Sequence, residues 1–255
     1  QDDKVKAFIC TQDLKDEEYI NSHYVIMATK NGQVKKTSLE QYSRPRTNGI
    51  NAITIKDGDE LLEAKLTTGD SQVMLAVKSG KAIRFEEEKT RSMGRNASGV
   101  RGIRLNSDND EVIGMITINE SESDVLVVSQ NGYGKRSSLE DYRITNRGGK
   151  GVKTISVTEK TGSLVAIKNV TDSDDLMIIN KSGIAIRLEV DNLRVMGRAT
   201  QGVRLIKVRD GDAIAAVAKV MSDDDDIEID EDGNVIVQEN NPNEINDSDI
   251  TKEEE

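Results

Sequence analysis

Residues 125–142 read VLVVSQNGYGKRSSLEDY: an apolar strand, a polar turn centred on Gly132, and a strand carrying Lys135 and Arg136. β-branched runs flanking an Asn-Gly turn are the signal of a β-hairpin. The pattern recurs at 25–42 (VIMATKNGQVKKTSLEQY), 73–85 (VMLAVKSGKAIRF) and 176–190 (LMIINKSGIAIRLEV). The turn glycines Gly32, Gly80, Gly132 and Gly183 lie 48, 52 and 51 residues apart. A second marker keeps the same period. RTNGINAITI, ASGVRGIRL, GGKGVKTISV and TQGVRLIKV carry Gly49, Gly99, Gly151 and Gly202, spaced 50, 52 and 51. Each unit then closes with a turn and an apolar strand: DGDELLEAKL, DNDEVIGMITI, KTGSLVAIKNV and DGDAIAAVAKV. Two independent markers with one period define an internal repeat.

Four short strands in about 50 residues is the size of a propeller blade. The expected fold is therefore all-β and propeller-like, a β-pinwheel of four-stranded blades at 24–70, 71–122, 123–173 and 174–220. The absence of Trp excludes the WD and kelch types. Helix is expected only as short turns in SLEQY, SLEDY and EEEKTR. Residues 1–9 resemble the closing strand of a unit whose opening is missing, which suggests a chain cut from a longer protein; 11–23 read as a linker. Residues 221–255 are acidic and of low complexity, which predicts disorder.

The net charge of −11 conceals an asymmetry. Residues 221–255 hold 15 carboxylates against one lysine, so the rest carries three more cations than anions. A basic body suits nucleic acid, and a flexible polyanionic tail can compete for the same surface. No apolar run approaches the length of a membrane span, and the N-terminus does not read as a signal peptide. The single cysteine, Cys10, excludes a disulfide framework and fits a reducing cytosol. One cysteine and one histidine, His23, cannot build a zinc site, and the acidic runs lack EF-hand spacing. Nothing in the sequence assembles a catalytic constellation, so the expectation is a non-catalytic binding module without metal or cofactor.

The candidate chemistry lies in periodic cations. After the first turn come Lys35 and Lys36, then Arg84, then Lys135 and Arg136, then Arg187. Around the second marker come Arg44 and Arg46; Arg91, Arg95, Arg101 and Arg104; Arg143, Arg147, Lys150 and Lys153; and Arg194, Arg198 and Arg204. Cations at matching positions of a curved array fall on one rim and form a track. Duplex DNA offers one phosphate per roughly 1.7 Å of axis, so a track can make many contacts. The arginine fork suits phosphate oxygens, and the neighbouring glycines admit backbone N–H donors. Aromatic residues make up only 3%, which argues against single-strand binding by base stacking. Backbone contacts and DNA deformability are therefore expected to dominate over base readout.

The strings NGYGKRSSLEDY (131–142), KSGKAIRF with RSMGRNASGVRGIRL (78–105) and LRVMGRATQGVRLI (193–206) closely resemble the C-terminal domain of the DNA gyrase A subunit, over about residues 4–220. The resemblance implies a β-pinwheel of six blades that wraps DNA on its rim, with the last four represented here. The parent would be an ATP-dependent type II topoisomerase, a bacterial cytoplasmic isomerase that introduces negative supercoils. Its partners would be double-stranded DNA, the N-terminal part of gyrase A and the gyrase B subunit, with ATP and Mg2+ used elsewhere in that enzyme. Two departures matter. Thr145-Asn146-Arg147-Gly148-Gly149-Lys150-Gly151 matches five of the seven positions of the family's wrapping box, but lies in a later blade. The family's catalytic tyrosine belongs to the N-terminal part. The related C-terminal domain of topoisomerase IV is the nearest alternative. A propeller-like protein-interaction scaffold is an alternative of another class.

Overall fold

The computed structural model of the chain describes residues 4–119 and 123–221, plus Glu228–Ile229 and Val235–Ile236, which pair with each other. Apart from these two short pairs and Met221, the acidic tail expected to be disordered lies outside the described residues. In each repeat the predicted hairpin and closing strand form. The first sheet holds β1 (Tyr24–Thr29), β2 (Gln33–Ser38) and β3 (Leu61–Thr67), and the second β4 (Gln72–Val77), β5 (Lys81–Glu86) and β7 (Val112–Ile118). The third holds β8 (Asp124–Ser129), β9 (Tyr133–Ser138) and β11 (Leu164–Val170). The fourth holds β12 (Asp174–Asn180), β13 (Ala185–Glu189) and β15 (Ile214–Met221). In each of these four sheets the opening strand is central, with its hairpin partner on one side and the closing strand on the other. The three expected helical turns form short 3-10 turns at Leu39–Tyr42, Glu87–Lys89 and Leu139–Asp141.

The fourth strand of a sheet comes from the next repeat. β6 (Val100–Arg101) pairs with β2, β10 (Val152–Lys153) with β5, and β14 (Val203–Arg204) with β9. The contiguous blades read from the period are corrected in this respect: each repeat lends its second marker to the sheet before it. The sheet built on β12 has three strands among the described residues.

The glycines explain the exchange. The carbonyl of Gly32 accepts from the N–H groups of Gly102 (2.8 Å) and Ile103 (3.3 Å), that of Gly80 from Thr154 (2.9 Å) and Ile155 (3.3 Å), and that of Gly132 from Leu205 (2.9 Å) and Ile206 (3.3 Å). Meanwhile Gly99 and Gly151 press onto the preceding hairpin: a Cβ there would lie 2.6 Å from the Val34 oxygen and 2.5 Å from the Ala82 oxygen. Backbone therefore rests on backbone at each junction, which only glycine permits.

Central strands are buried on both faces, so they read as continuous apolar runs. In β4, Val73, Leu75 and Val77 pack toward the first sheet with Ile26, Ala28 and Val34. Met74 and Ala76 pack the other way, onto Val125, Val127 and Leu164 of the third. Leu126 and Val128 then meet Leu176, Ile178 and Val217 of the fourth. Each such side chain contributes about 1.5–3 kcal/mol, against about 1 kcal/mol per exchanged hydrogen bond. Sheet stacking supplies most of the stability, and the exchanged strand sets how repeats register.

The N-terminal readings are corrected. Residues 4–9 form no strand, and Val5 and Phe8 are exposed: with no neighbouring strand to pair with, an apolar run has no ladder to join. The segment read as a linker contains a helix, α1 (Glu17–Ser22), started by Asp16, whose carboxylate accepts from the Glu18 and Tyr19 N–H groups. Ile20 of this helix packs on Val25, Met27 and Leu39 and covers the outer face of the first sheet.

Gly151→Ala tests the junction, with Gly49→Ala as control. Their φ angles are similar, 70° and 76°, but nothing lies within 4 Å of a Cβ on Gly49. Both variants bear the left-handed penalty of about 1–2 kcal/mol. Urea denaturation should show Gly151→Ala costing a further ~1–3 kcal/mol from overpacking; equal costs would contradict the backbone-on-backbone junction.

Candidate nucleic-acid interface

The cations of the hairpin strands turn inward. Lys36 lies 3.6 Å from the carboxylate of Glu87, which is fully buried and also accepts from the Thr67 hydroxyl at 2.8 Å. Arg84 donates to the Gln72 side chain and to the carbonyls of Leu139 (2.8 Å) and Tyr142 (3.0 Å). Arg136 pairs with Asp172 (2.5 Å) and Asp124 (3.5 Å) and donates to the Val190 carbonyl at 3.3 Å. Glu87, Leu139 and Val190 occupy one register position, so each cation staples its own hairpin to the next repeat's turn. Lys35 and Lys135 are also buried, at 0% and 1% exposure. Of the sequence-predicted DNA contacts, Lys35, Lys36, Lys135 and Arg136 are buried and Arg84 is partly buried, each held by partners within the protein. The period was right, but the covering repeat encloses this strand. Arg187 stays half exposed and pairs with Asp175 of its own sheet.

The cations around the second marker face outward. Three loops share one frame, pinned by parallel bridges Lys36–Ser92, Arg84–Ile144 and Arg136–Val195. The N–H groups of Met93, Thr145 and Met196 donate to the carbonyls of Lys36, Arg84 and Arg136 at 2.8, 2.9 and 2.9 Å. Each loop then presents an arginine at the same place: Arg95, Arg147 and Arg198, all partly buried. Arg147 donates to the carbonyls of Lys89 (2.8 Å) and Arg101 (3.1 Å), and Arg198 to that of Lys153 (2.7 Å). A guanidinium has five N–H donors, so each retains several for an anion. Around them Arg91, Arg101, Arg104, Arg143, Lys150, Arg194 and Arg204 are exposed, as are Arg44 and Arg46 of the first repeat. Arg143, Asn146, Gly149 and Lys150 line a concave groove above Ile83 and Arg84.

A second basic hollow went unread in the sequence. Lys160, Arg204, Lys207 and Arg209 line it with Tyr133, Asp210 and Asp212, the Lys160 ammonium 5.3 Å and the Arg204 guanidinium 5.5 Å from the tyrosine ring centroid. The density of cations in RLIKVR (204–209) was an available signal. Lys160 carried none, because only the fold brings its turn to Tyr133.

Burial also changes ionisation. It pulls Lys35 down to about 8, helped by the nearby Arg95 charge. Lys135 also falls to about 8, first through burial, with Asp141 opposing and Arg198 adding to the shift. Burial likewise lowers Arg84, partly offset by Glu86.

The family model described as "DNA gyrase C-terminal domain, beta-propeller" matches residues 23–68, 72–119, 123–171 and 174–221, one segment for each repeat. The chain belongs to the DNA gyrase C-terminal domain family. It is 44% identical over 225 residues to the DNA gyrase A subunit of Staphylococcus epidermidis, covering 88% of this chain and 25% of that protein. With the DNA gyrase A subunit of Chlamydia pneumoniae it shares 43% over 214 residues, 84% of this chain and 26% of that protein. The chain thus spans about a quarter of the length of these relatives. Among solved structures, a DNA topoisomerase IV C-terminal domain superposes with a TM-score of 0.74 at 24% identity, over 78% of this chain and 62% of the other. A DNA gyrase A C-terminal domain superposes at 0.71 and 24%, over 79% and 67%. These likenesses show the shared propeller fold.

The two cation classes of this gyrase-family domain separate by stability. Lys36→Met leaves the buried Glu87 carboxylate uncompensated and should cost about 3 kcal/mol in urea denaturation. Arg104→Ala, at an exposed position, should stay within about 0.5 kcal/mol. Similar losses for both would contradict the division.

Proposed function

We propose that the chain binds duplex DNA along its outer rim, bends it and contributes no chemistry of its own. The observation that carries this is that rim arginines recur in register in successive repeats, Arg91, Arg143 and Arg194 exposed and Arg95, Arg147 and Arg198 partly buried four residues on, while the equally periodic strand cations are engaged internally. The rim cations are Arg44, Arg46, Arg91, Arg95, Arg101, Arg104, Arg143, Arg147, Lys150, Arg194, Arg198 and Arg204. A curved row of guanidinium groups meets the phosphates of a bent duplex, and those contacts offset a deformation cost of about 1–6 kcal/mol. Membership of the gyrase family supports a wrapping role within a bacterial, cytoplasmic type II topoisomerase. In that enzyme the N-terminal part of gyrase A and the gyrase B subunit would supply strand passage and the use of ATP and Mg2+. No helix among the described residues is long and apolar enough to cross a membrane. A protein-interaction scaffold would not need arginines repeated in phase.

Fluorescence anisotropy with a duplex of mixed sequence tests the proposal. Log affinity should fall steeply with log salt, and removing one phosphate-binding cation should reduce that slope by about 0.9. Combining Arg101→Glu, Arg104→Glu, Arg143→Glu and Lys150→Glu should weaken binding at least about tenfold. A salt-insensitive affinity, unchanged by these reversals, would overturn the reading in favour of the scaffold.

A further inference from the structure

The repeats alternate at three buried or half-buried positions. The third residue after the turn glycine is Lys35, Ile83, Lys135 and Ile186 in turn; two residues on stand Thr37, Phe85, Ser137 and Leu188; at the end of the turn stand Tyr42, Thr90, Tyr142 and Leu193. The first and third repeats thus hold a lysine, a hydroxyl residue and a tyrosine, where the second holds Ile83, Phe85 and Thr90 and the fourth Ile186, Leu188 and Leu193. In the first, the Lys35 ammonium donates to the carbonyls of Arg95 and Ala52, both at 2.5 Å, and the Tyr42 hydroxyl donates to Ala52 at 3.1 Å. In the third, Lys135 donates to the Gly197 carbonyl and the Ser137 hydroxyl, both at 2.8 Å, while the Tyr142 hydroxyl lies 2.5 Å from that of Thr154. Arg95 and Gly197 belong to the rim loops of the following repeats. A fully buried ammonium is costly, and the even repeats show that this fold works without one. Its reach into a rim loop points to what it does.

We propose that Lys35 and Lys135 are positioning residues for DNA binding: from beneath, they fix the loops bearing Arg95 and Arg198 through the carbonyls of Arg95 and Gly197. This rests on the reading of the rim as the DNA surface. The charged and titratable groups facing Lys35 are Arg95 and Tyr42; those facing Lys135 are Asp141, Arg198 and Tyr142. Burial raises both tyrosines, so they keep their protons while the lysines titrate near 8. Phosphates drawn to Arg95 and Arg198 relieve the repulsion on the ammonium groups and favour their protonated form. DNA binding near pH 8 therefore takes up protons.

Linkage gives stability the opposite trend. From pH 8 upward the folded lysines release protons that the unfolded chain, with lysines near 10.5, still holds, so folding stability rises with pH as affinity falls. A merely structural role moves only the first. The test copies the chain's own alternative, Lys35→Ile with Thr37→Phe and Lys135→Ile with Ser137→Phe. Between pH 7 and pH 9.5 the wild type should lose duplex affinity about fivefold, while the swapped protein starts about fivefold weaker and stays flat. Calorimetry of the wild type at pH 8 in buffers of different ionisation enthalpy needs no variant and should show net proton uptake. Wild-type affinity and pH dependence in the swapped protein, or no proton uptake by the wild type, would overturn the proposal. Rim charge reversals distinguish the two readings. If they abolish binding while the swap changes nothing, only the lysine proposal falls; if they leave binding intact, both fall.

Discussion

The architecture depends on one contact made three times: a hairpin glycine carbonyl that accepts two N–H groups from the following repeat. That contact needs a second glycine lying flat on the hairpin, which is why two glycine markers share one period. A repeat that completes its predecessor's sheet cannot slide against it without losing ladder bonds and exposing apolar side chains. The rim loops begin at this junction, so their arginines inherit its spacing.

The same coverage sorts the cations. Where the next repeat folds over a strand, a lysine or arginine is desolvated and must find carboxylates or carbonyls, as Lys36, Arg84 and Arg136 do. Where the chain loops outward before the exchanged strand, the arginines remain in water with unspent donors. Residues a few positions apart thus take opposite roles, one class holding the array together and the other presenting charge outside it.

Much of this was legible in the sequence. The period, hairpins, 3-10 turns and all-β class followed from apolar runs and Asn-Gly or Ser-Gly turns, because those signals are local. The exchanged strands were not legible: Val100–Arg101 is two residues long, and nothing in it says which hairpin it joins. The burial of Lys35 and Lys135 was hidden for the same reason, since only the fold sets the 92–99 and 195–202 loops over them. Their place after the turn marked these lysines as cations in a strand; their surroundings are long-range.

The central claim is that the rim arginines meet DNA and the staple arginines do not. Arginine-selective glyoxal labelling read by mass spectrometry, with and without duplex DNA, tests it directly. Arg101, Arg104, Arg143 and Arg194 should react in the free protein and be protected by DNA, while the buried Arg136 stays unreactive in both states. Rim arginines that react equally with and without DNA, or an Arg136 that is reactive when free and protected when bound, would contradict the account.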